Sequence, residues 1–170
     1  KCDTLRVGFQ SGSRGCHPFV HLDGGTLDAG FRVNCSDNQN NTHARYLFEN
    51  GSVYKVGSYN YSSWQTYWEG DAEFIFDNST YAIAGSQHYG YLYLRNGGRG
   101  SMLFRNGAKA YVQNIEKLSG TNWQLTMAFD NGEWIPSAGD YDFIYRGGEG
   151  MTIDCRAGGL SLSVPAAATW

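Results

Sequence analysis

The segment Gln87-His88-Tyr89-Gly90-Tyr91-Leu92-Tyr93-Leu94-Arg95 concentrates the side chains best suited to binding chemistry. An extended strand turns successive residues to opposite faces, so Tyr89, Tyr91, Tyr93 and Arg95 share one face and His88, Leu92 and Leu94 the other. If the leucines face a core, three phenol rings about 7 Å apart and a guanidinium remain in a row on the opposite side. Flat rings stack on the apolar faces of pyranose sugars, while phenol and guanidinium groups bond hydroxyls. The competing reading is a tyrosine ladder packed against a second layer, because tyrosine also favours strands for packing reasons alone.

A second cluster runs from Tyr54 to Glu73, with Tyr59, Tyr61, Trp64, Tyr67 and Trp68 ahead of Glu69, Asp71 and Glu73. Aromatics in a Ser/Asn/Gly-rich stretch suit a loop that presents rings to a ligand, and the four-residue spacing of Trp64 and Trp68 places both on one face of a strand. Either tryptophan could instead plug the end of a sandwich. For catalysis, Glu69, Asp71 and Glu73 share a face if that segment is extended, but same-face carboxylates on one strand lack the opposing wall that separates acid from base. His88, Tyr89, Tyr91 and Arg95 are the residue types a polysaccharide lyase uses, without a recognisable lyase motif. His17, His21 and Asp23 do not read as a metal site, since His17 and His21 would stand about 13 Å apart along a strand. No catalytic residue, metal site or cofactor is assigned, and no nucleophile elbow or phosphate-cradling loop occurs.

The elements that must position these residues are short strands. The 170-residue chain has 17% charged and 15% aromatic residues, 23 glycines and a net charge of −3. That balance argues against disorder and against a nucleic-acid partner, which needs a basic surplus. No apolar run is long enough for a membrane-spanning helix. Short alternating segments such as Phe19–Leu22, Val53–Val56, Ala72–Phe76 and Met151–Cys155 are separated by Asn50-Gly51, Asn96-Gly97, Asn106-Gly107 and Asn131-Gly132, the turn chemistry of two-residue hairpins. Strands of this length at eight- to twelve-residue spacing predict a single all-β domain over 1–170, an antiparallel β-sandwich (jelly-roll-like) or barrel, with no internal repeat of fixed period.

Compartment is read from cysteines and sequons. A hairpin of Phe19–Leu22 with Leu27–Val33 would bring Cys16 opposite Cys35, leaving Cys2 to pair with Cys155; the two other pairings stay open. Sequons stand at Asn34, Asn40, Asn50, Asn60 and Asn78, of which Asn40, Asn50, Asn60 and Asn78 are the expected glycan carriers. Together these predict a secreted, disulfide-stapled glycoprotein, extracellular or associated with a cell wall. All sequons precede the Tyr89–Arg95 row, so a partner could reach that row unobstructed.

The stretch Ala44-Arg45-Tyr46-Leu47-Phe48-Glu49-Asn50-Gly51-Ser52-Val53-Tyr54 resembles the small secreted cell-wall proteins of filamentous fungi, including the phialide type, and is similar in character to secreted elicitors of plant responses. The resemblance implies a β-rich, wall-associated or host-facing protein and carries over no functional residue. The leading expectation is a non-catalytic protein that binds glycan or cell-wall polysaccharide through Tyr89, Tyr91, Tyr93, Arg95, Trp64 and Trp68. The alternatives are an effector or elicitor acting on a host protein, and a small lyase or glycosidase.

Overall fold

The structure, a computed structural model, describes residues 2–6, 17–37, 43–56, 65–69, 71–83, 91–95, 99–112, 114–119, 124–135 and 151–162. Strands are the only regular elements among them: β1 (Cys2–Arg6), β2 (Phe19–Asp23), β3 (Thr26–Asp37), β4 (His43–Glu49), β5 (Val53–Val56), β6 (Gln65–Glu69), β7 (Asp71–Asp77), β8 (Thr80–Ile83), β9 (Tyr91–Arg95), β10 (Arg99–Arg105), β11 (Lys109–Tyr111), β12 (Asn114–Ser119), β13 (Gln124–Asp130), β14 (Gly132–Trp134), β15 (Met151–Cys155) and β16 (Leu160–Leu162). No helix among the described residues is long and apolar enough to cross a membrane.

Every strand pairing among the described residues is parallel, which overturns the expected antiparallel sandwich, jelly roll or barrel. One sheet runs β15-β13-β10-β7-β4-β2. A ten-stranded sheet runs β12-β9-β6-β3-β5-β8-β11-β14-β16, with β1 on β3. The long β3 joins two faces of that second sheet: Thr26–Ala29 pairs with β5, whereas Arg32–Asn34 and Asp37 pair with β6. The chain therefore winds as a three-faced solenoid. One turn contributes β4, β5 and β6, the next β7, β8 and β9, and the next β10, β11 and β12.

The expected hairpin of β2 with β3 is absent for the same reason: β2 pairs with β4, one turn later, and β3 belongs to the other sheet. The local turn chemistry is nevertheless present. Asn50 and Gly51 both have positive φ (56° and 77°), as do Asn106 and Gly107 (56° and 82°), and Ser52 N donates to Glu49 O at 3.2 Å across the turn. Two successive left-handed residues make a tight reversal in a hairpin. Here they make a corner, because the strand that follows bonds to the turns above and below it rather than to the strand it left. Gly51 N donates to Asn78 O (3.0 Å), Asn78 N to Arg105 O (3.0 Å) and Gly107 N to Asn131 O (2.7 Å), so the corners stack along the axis.

What selects this stacking is the inward side chains. Register aligns Phe48, Phe76, Phe104 and Phe129, and their rings follow one another at 5.0, 4.9 and 5.2 Å with near-parallel planes. Tyr46 stacks on Phe74 at 4.1 Å, Tyr54 meets Tyr81 at 5.5 Å, and Trp134 closes on Phe129 at 6.1 Å. All of these are buried, and the core lies between the first sheet and the β5-β8-β11-β14 face. Each offset aromatic pair adds about 0.5–1.5 kcal/mol beyond its area term, so a parallel stack of like rings gains repeatedly where a single hairpin gains once. The indole Nε1 of Trp134 donates to Val112 O at 2.8 Å, which leaves no unmet donor there.

Acids and asparagines clamp adjoining turns at the corners. Asn50 Nδ2 donates to Asp23 Oδ1 (2.6 Å), Asn106 Nδ2 to Asp77 Oδ1 (2.7 Å), and Gly158 N to Asp130 Oδ1 (2.8 Å). The last clamp depends on close backbone approach. A Cβ on Gly158 would stand 2.5 Å from Asn131 N and 2.5 Å from Asp130 Oδ1. Gly158→Ala should therefore destabilise the fold by about 1–3 kcal/mol through overpacking, read as a lowered urea midpoint at unchanged slope. An unchanged midpoint would show that the corner is looser than these contacts require.

Cys155 is a free, exposed thiol, which overturns the Cys2–Cys155 bridge and the two-bridge staple. The reason is topological. Cys2 stands on β1, beyond β3 at one end of the stack, and Cys155 on β15 at the other. About six strand spacings of roughly 4.8 Å separate them along the axis, whereas a disulfide needs Cα atoms within about 7 Å. Cys16, the expected partner of Cys35, lies outside the described residues. Alkylation of the native protein without reductant should modify Cys155, and a Cys155 that peptide mapping finds already disulfide-bonded would refute the topology of this end.

Candidate functional site

The third face, β1-β3-β6-β9-β12, carries the residues singled out for binding. Tyr91, Tyr93 and Arg95 lie on β9; Tyr89 and Trp64 lie outside the described residues. Register sets Tyr93 beside Tyr67 of β6 on one side and Glu116 of β12 on the other, with Asn34 of β3 next beyond Tyr67. One step along, Tyr91 stands beside Gln65 and Asn114, with Arg32 beyond Gln65. Arg95 is in register with Ser119.

The positions flanking Tyr91 and Tyr93 thus hold amide, carboxyl, phenol and guanidinium types, which donate and accept hydrogen bonds to hydroxyls. The alternate positions hold Val33, Thr66, Leu92 and Ile115 in one register row and Leu94 with Lys117 in the next. Trp68 shares its register position with Leu94, one residue out of step with the Tyr67–Tyr93 pair. Gln65, Asn114 and Glu116 were not singled out in the sequence. The recurrence of Asn50, Asn78, Asn106 and Asn131 at intervals of 28, 28 and 25 residues is the signal that aligns them, since it dates each turn of the solenoid.

The carboxylates considered for catalysis are divided between two sheets. Glu69 ends β6, in register with Asp37, whereas Asp71 and Glu73 are on β7. Asp71 Oδ1 accepts from Arg99 N at 3.0 Å, and Glu73 accepts from Arg45 Nε at 2.8 Å across adjacent turns. These are inter-strand pairs on an open face. His21 bonds Glu49 at 2.8 Å and stacks on Phe19 at 6.0 Å. Among the described residues, no group of three or more His, Cys, Asp or Glu side chains is placed to hold a metal ion. His88 is outside the described residues.

Two of the sequons have a structural explanation. Asn50 and Asn78 are corner residues with φ of 56° and 47°, a conformation that asparagine tolerates better than most residues. Ser52 and Ser79, the middle or third residues of those sequons, are buried, and their hydroxyls bond Leu22 O and Glu49 O, and Asp77 O. Corner chemistry therefore writes Asn-Gly-Ser and Asn-Ser-Thr without reference to glycan. Asn40 and Asn60 lie outside the described residues. Residues 44–54 span most of β4, one corner and the start of β5.

No protein-family model matches the chain, and neither a curated protein nor a solved structure matches it.

Proposed function

We propose that this chain is a secreted, non-catalytic binding protein for a glycan or cell-wall polysaccharide, engaged along the β3-β6-β9-β12 face. The observation that carries this reading is the register of Tyr67 with Tyr93 and of Tyr91 with Gln65 and Asn114. It lines up aromatic and hydrogen-bonding residue types across successive turns. A solenoid repeats such positions at about 4.8 Å along its axis, an extended surface suited to an extended chain ligand. The extracellular setting rests on the sequons, chiefly those at Asn40 and Asn60, which the described corners do not explain.

Co-sedimentation with insoluble glucan, chitin and mannan tests the reading. Retention on at least one polymer, without release of soluble sugar, is expected. No retention on any of them would remove the proposal, and sugar release abolished by Glu116→Gln would replace a binding protein with an enzyme.

A further inference from the structure

The two ends of the solenoid match each other. At one end β2 and the Thr26–Asp28 part of β3 begin the first two faces, with β1 already paired to β3 from Ala29 onward; at the other β15 and β16 end them. Among the described residues nothing pairs with the outer side of β2, β15 or β16. Ile153 stands in register with Met127 and Leu162 with Trp134, yet Ile153 is 45% and Leu162 50% exposed where Met127 and Trp134 are 0% and 3%. The inward columns thus continue to the last turn and stop uncovered. At the opposite end the same columns begin with Val20, Leu22 and Leu27, each partly buried.

The charges at the ends are complementary in the same register. The strand-end column of the first sheet reads Asp23, Glu49, Asp77, Arg105 and Asp130, with Arg156 next after Cys155. Within the molecule Arg105 binds Asp77 at 2.7 Å, so a cation in this column is already matched to an acid one turn away. A second copy placed after β15 would set its Asp23 against Arg156 and its His21 against Asp154. In the free chain Arg156 turns back on Asp154 at 3.2 Å.

Corner clamping also alternates. The carboxylates of Asp23, Asp77 and Asp130, in every second turn, each clamp the turn that follows. The structural unit is two turns. The described stack starts with a clamping turn and ends with a clamped one, so a second copy added end to end keeps the alternation.

We propose that copies of this chain stack head to tail, with β15 and β16 of one pairing in parallel with β2 and the Thr26–Asp28 part of β3 of the next. Edge strands with free hydrogen-bonding groups template such pairing, and a head-to-tail contact that does not close produces open chains of subunits. The inference is independent of the polysaccharide reading.

Sedimentation equilibrium of the whole chain should give a weight-average mass that rises with concentration past that of a dimer. Arg45 N bonds Pro18 O and Arg156 N bonds Phe129 O, so strand alternation leaves the N–H groups of Phe19 and Ile153 on the free edges. Phe19→Pro closes one end and Ile153→Pro the other. Each variant alone should be monomeric, and an equimolar mixture should form a dimer and nothing larger. Arg156→Glu, on an exposed side chain that can hardly affect folding, should weaken association at least tenfold. A wild-type chain that stays monomeric at every concentration overturns the proposal, as does a single proline variant that still associates alone, which would mean like ends meet.

Discussion

Truncating Phe76 to alanine should lower the unfolding free energy by about 3–5 kcal/mol, the usual cost of deleting a buried aromatic ring. Phe76 is fully buried and sits inside the stack, 5.0 Å from Phe48 and 4.9 Å from Phe104, with Tyr81 at 5.4 Å. Its loss leaves a cavity lined by rings that the two flanking turns hold in place, so collapse around it is limited. Denaturation in urea is the measurement, and a double-mutant cycle with Phe104→Ala should return a coupling of about 0.5–3 kcal/mol, as expected for rings in contact. Phe19→Ala is the control: that ring is 61% exposed on the outer face, and its removal should stay within about 0.5 kcal/mol. Equal effects at the two positions would mean that the inward column is not the core.

The Tyr91→Ala/Tyr93→Ala double variant should bind polysaccharide at least tenfold more weakly while its thermal midpoint moves by only a few degrees. By analogy with stacking on other ring ligands, each exposed aromatic contributes about 1–3 kcal/mol, and about 1.4 kcal/mol is a factor of ten. Surface substitutions on a strand cost little stability. The core-ladder reading of the same tyrosines expects the reverse, a large fall in stability with no specific effect on binding. Affinity and thermal unfolding measured on one preparation separate the two, and a collapse in stability would end the binding-face proposal. Because Tyr93 is in register with Tyr67, Tyr67→Ala should add to the loss if one ligand spans both turns.

Individual strands were readable from alternation: Val53–Val56 and Met151–Cys155 coincide with β5 and β15, and Ala72–Phe76 lies within β7. Which strand each one pairs with was not. An Asn-Gly pair favours a left-handed corner, with both residues at positive φ at Asn50-Gly51 and Asn106-Gly107 and only Asn131 at Asn131-Gly132, and says nothing about the partner of the strand that follows. The solenoid's period shows in the sequence only as apolar-x-apolar, a polar residue, then Asn, recurring at four corners 28, 28 and 25 residues apart. Glu69 shows the consequence for the site. Its spacing from Asp71 and Glu73 suggested one shared face, but the chain changes sheets between β6 and β7.

Sequence alone determined strand-forming segments such as β5, β7 and β15, the inward and outward alternation along β5 and β7, and the left-handed corners at Asn50-Gly51 and Asn106-Gly107, because these follow from side-chain period and local dihedral preference. Tertiary structure alone decided that the strands run parallel, that Cys2 and Cys155 stand at opposite ends, and that Tyr93 neighbours Tyr67 and Glu116. The physical reason is that pairing is chosen by contacts between residues some 25–28 positions apart, where Phe48, Phe76, Phe104 and Phe129 stack, and no local preference encodes a choice made over that distance.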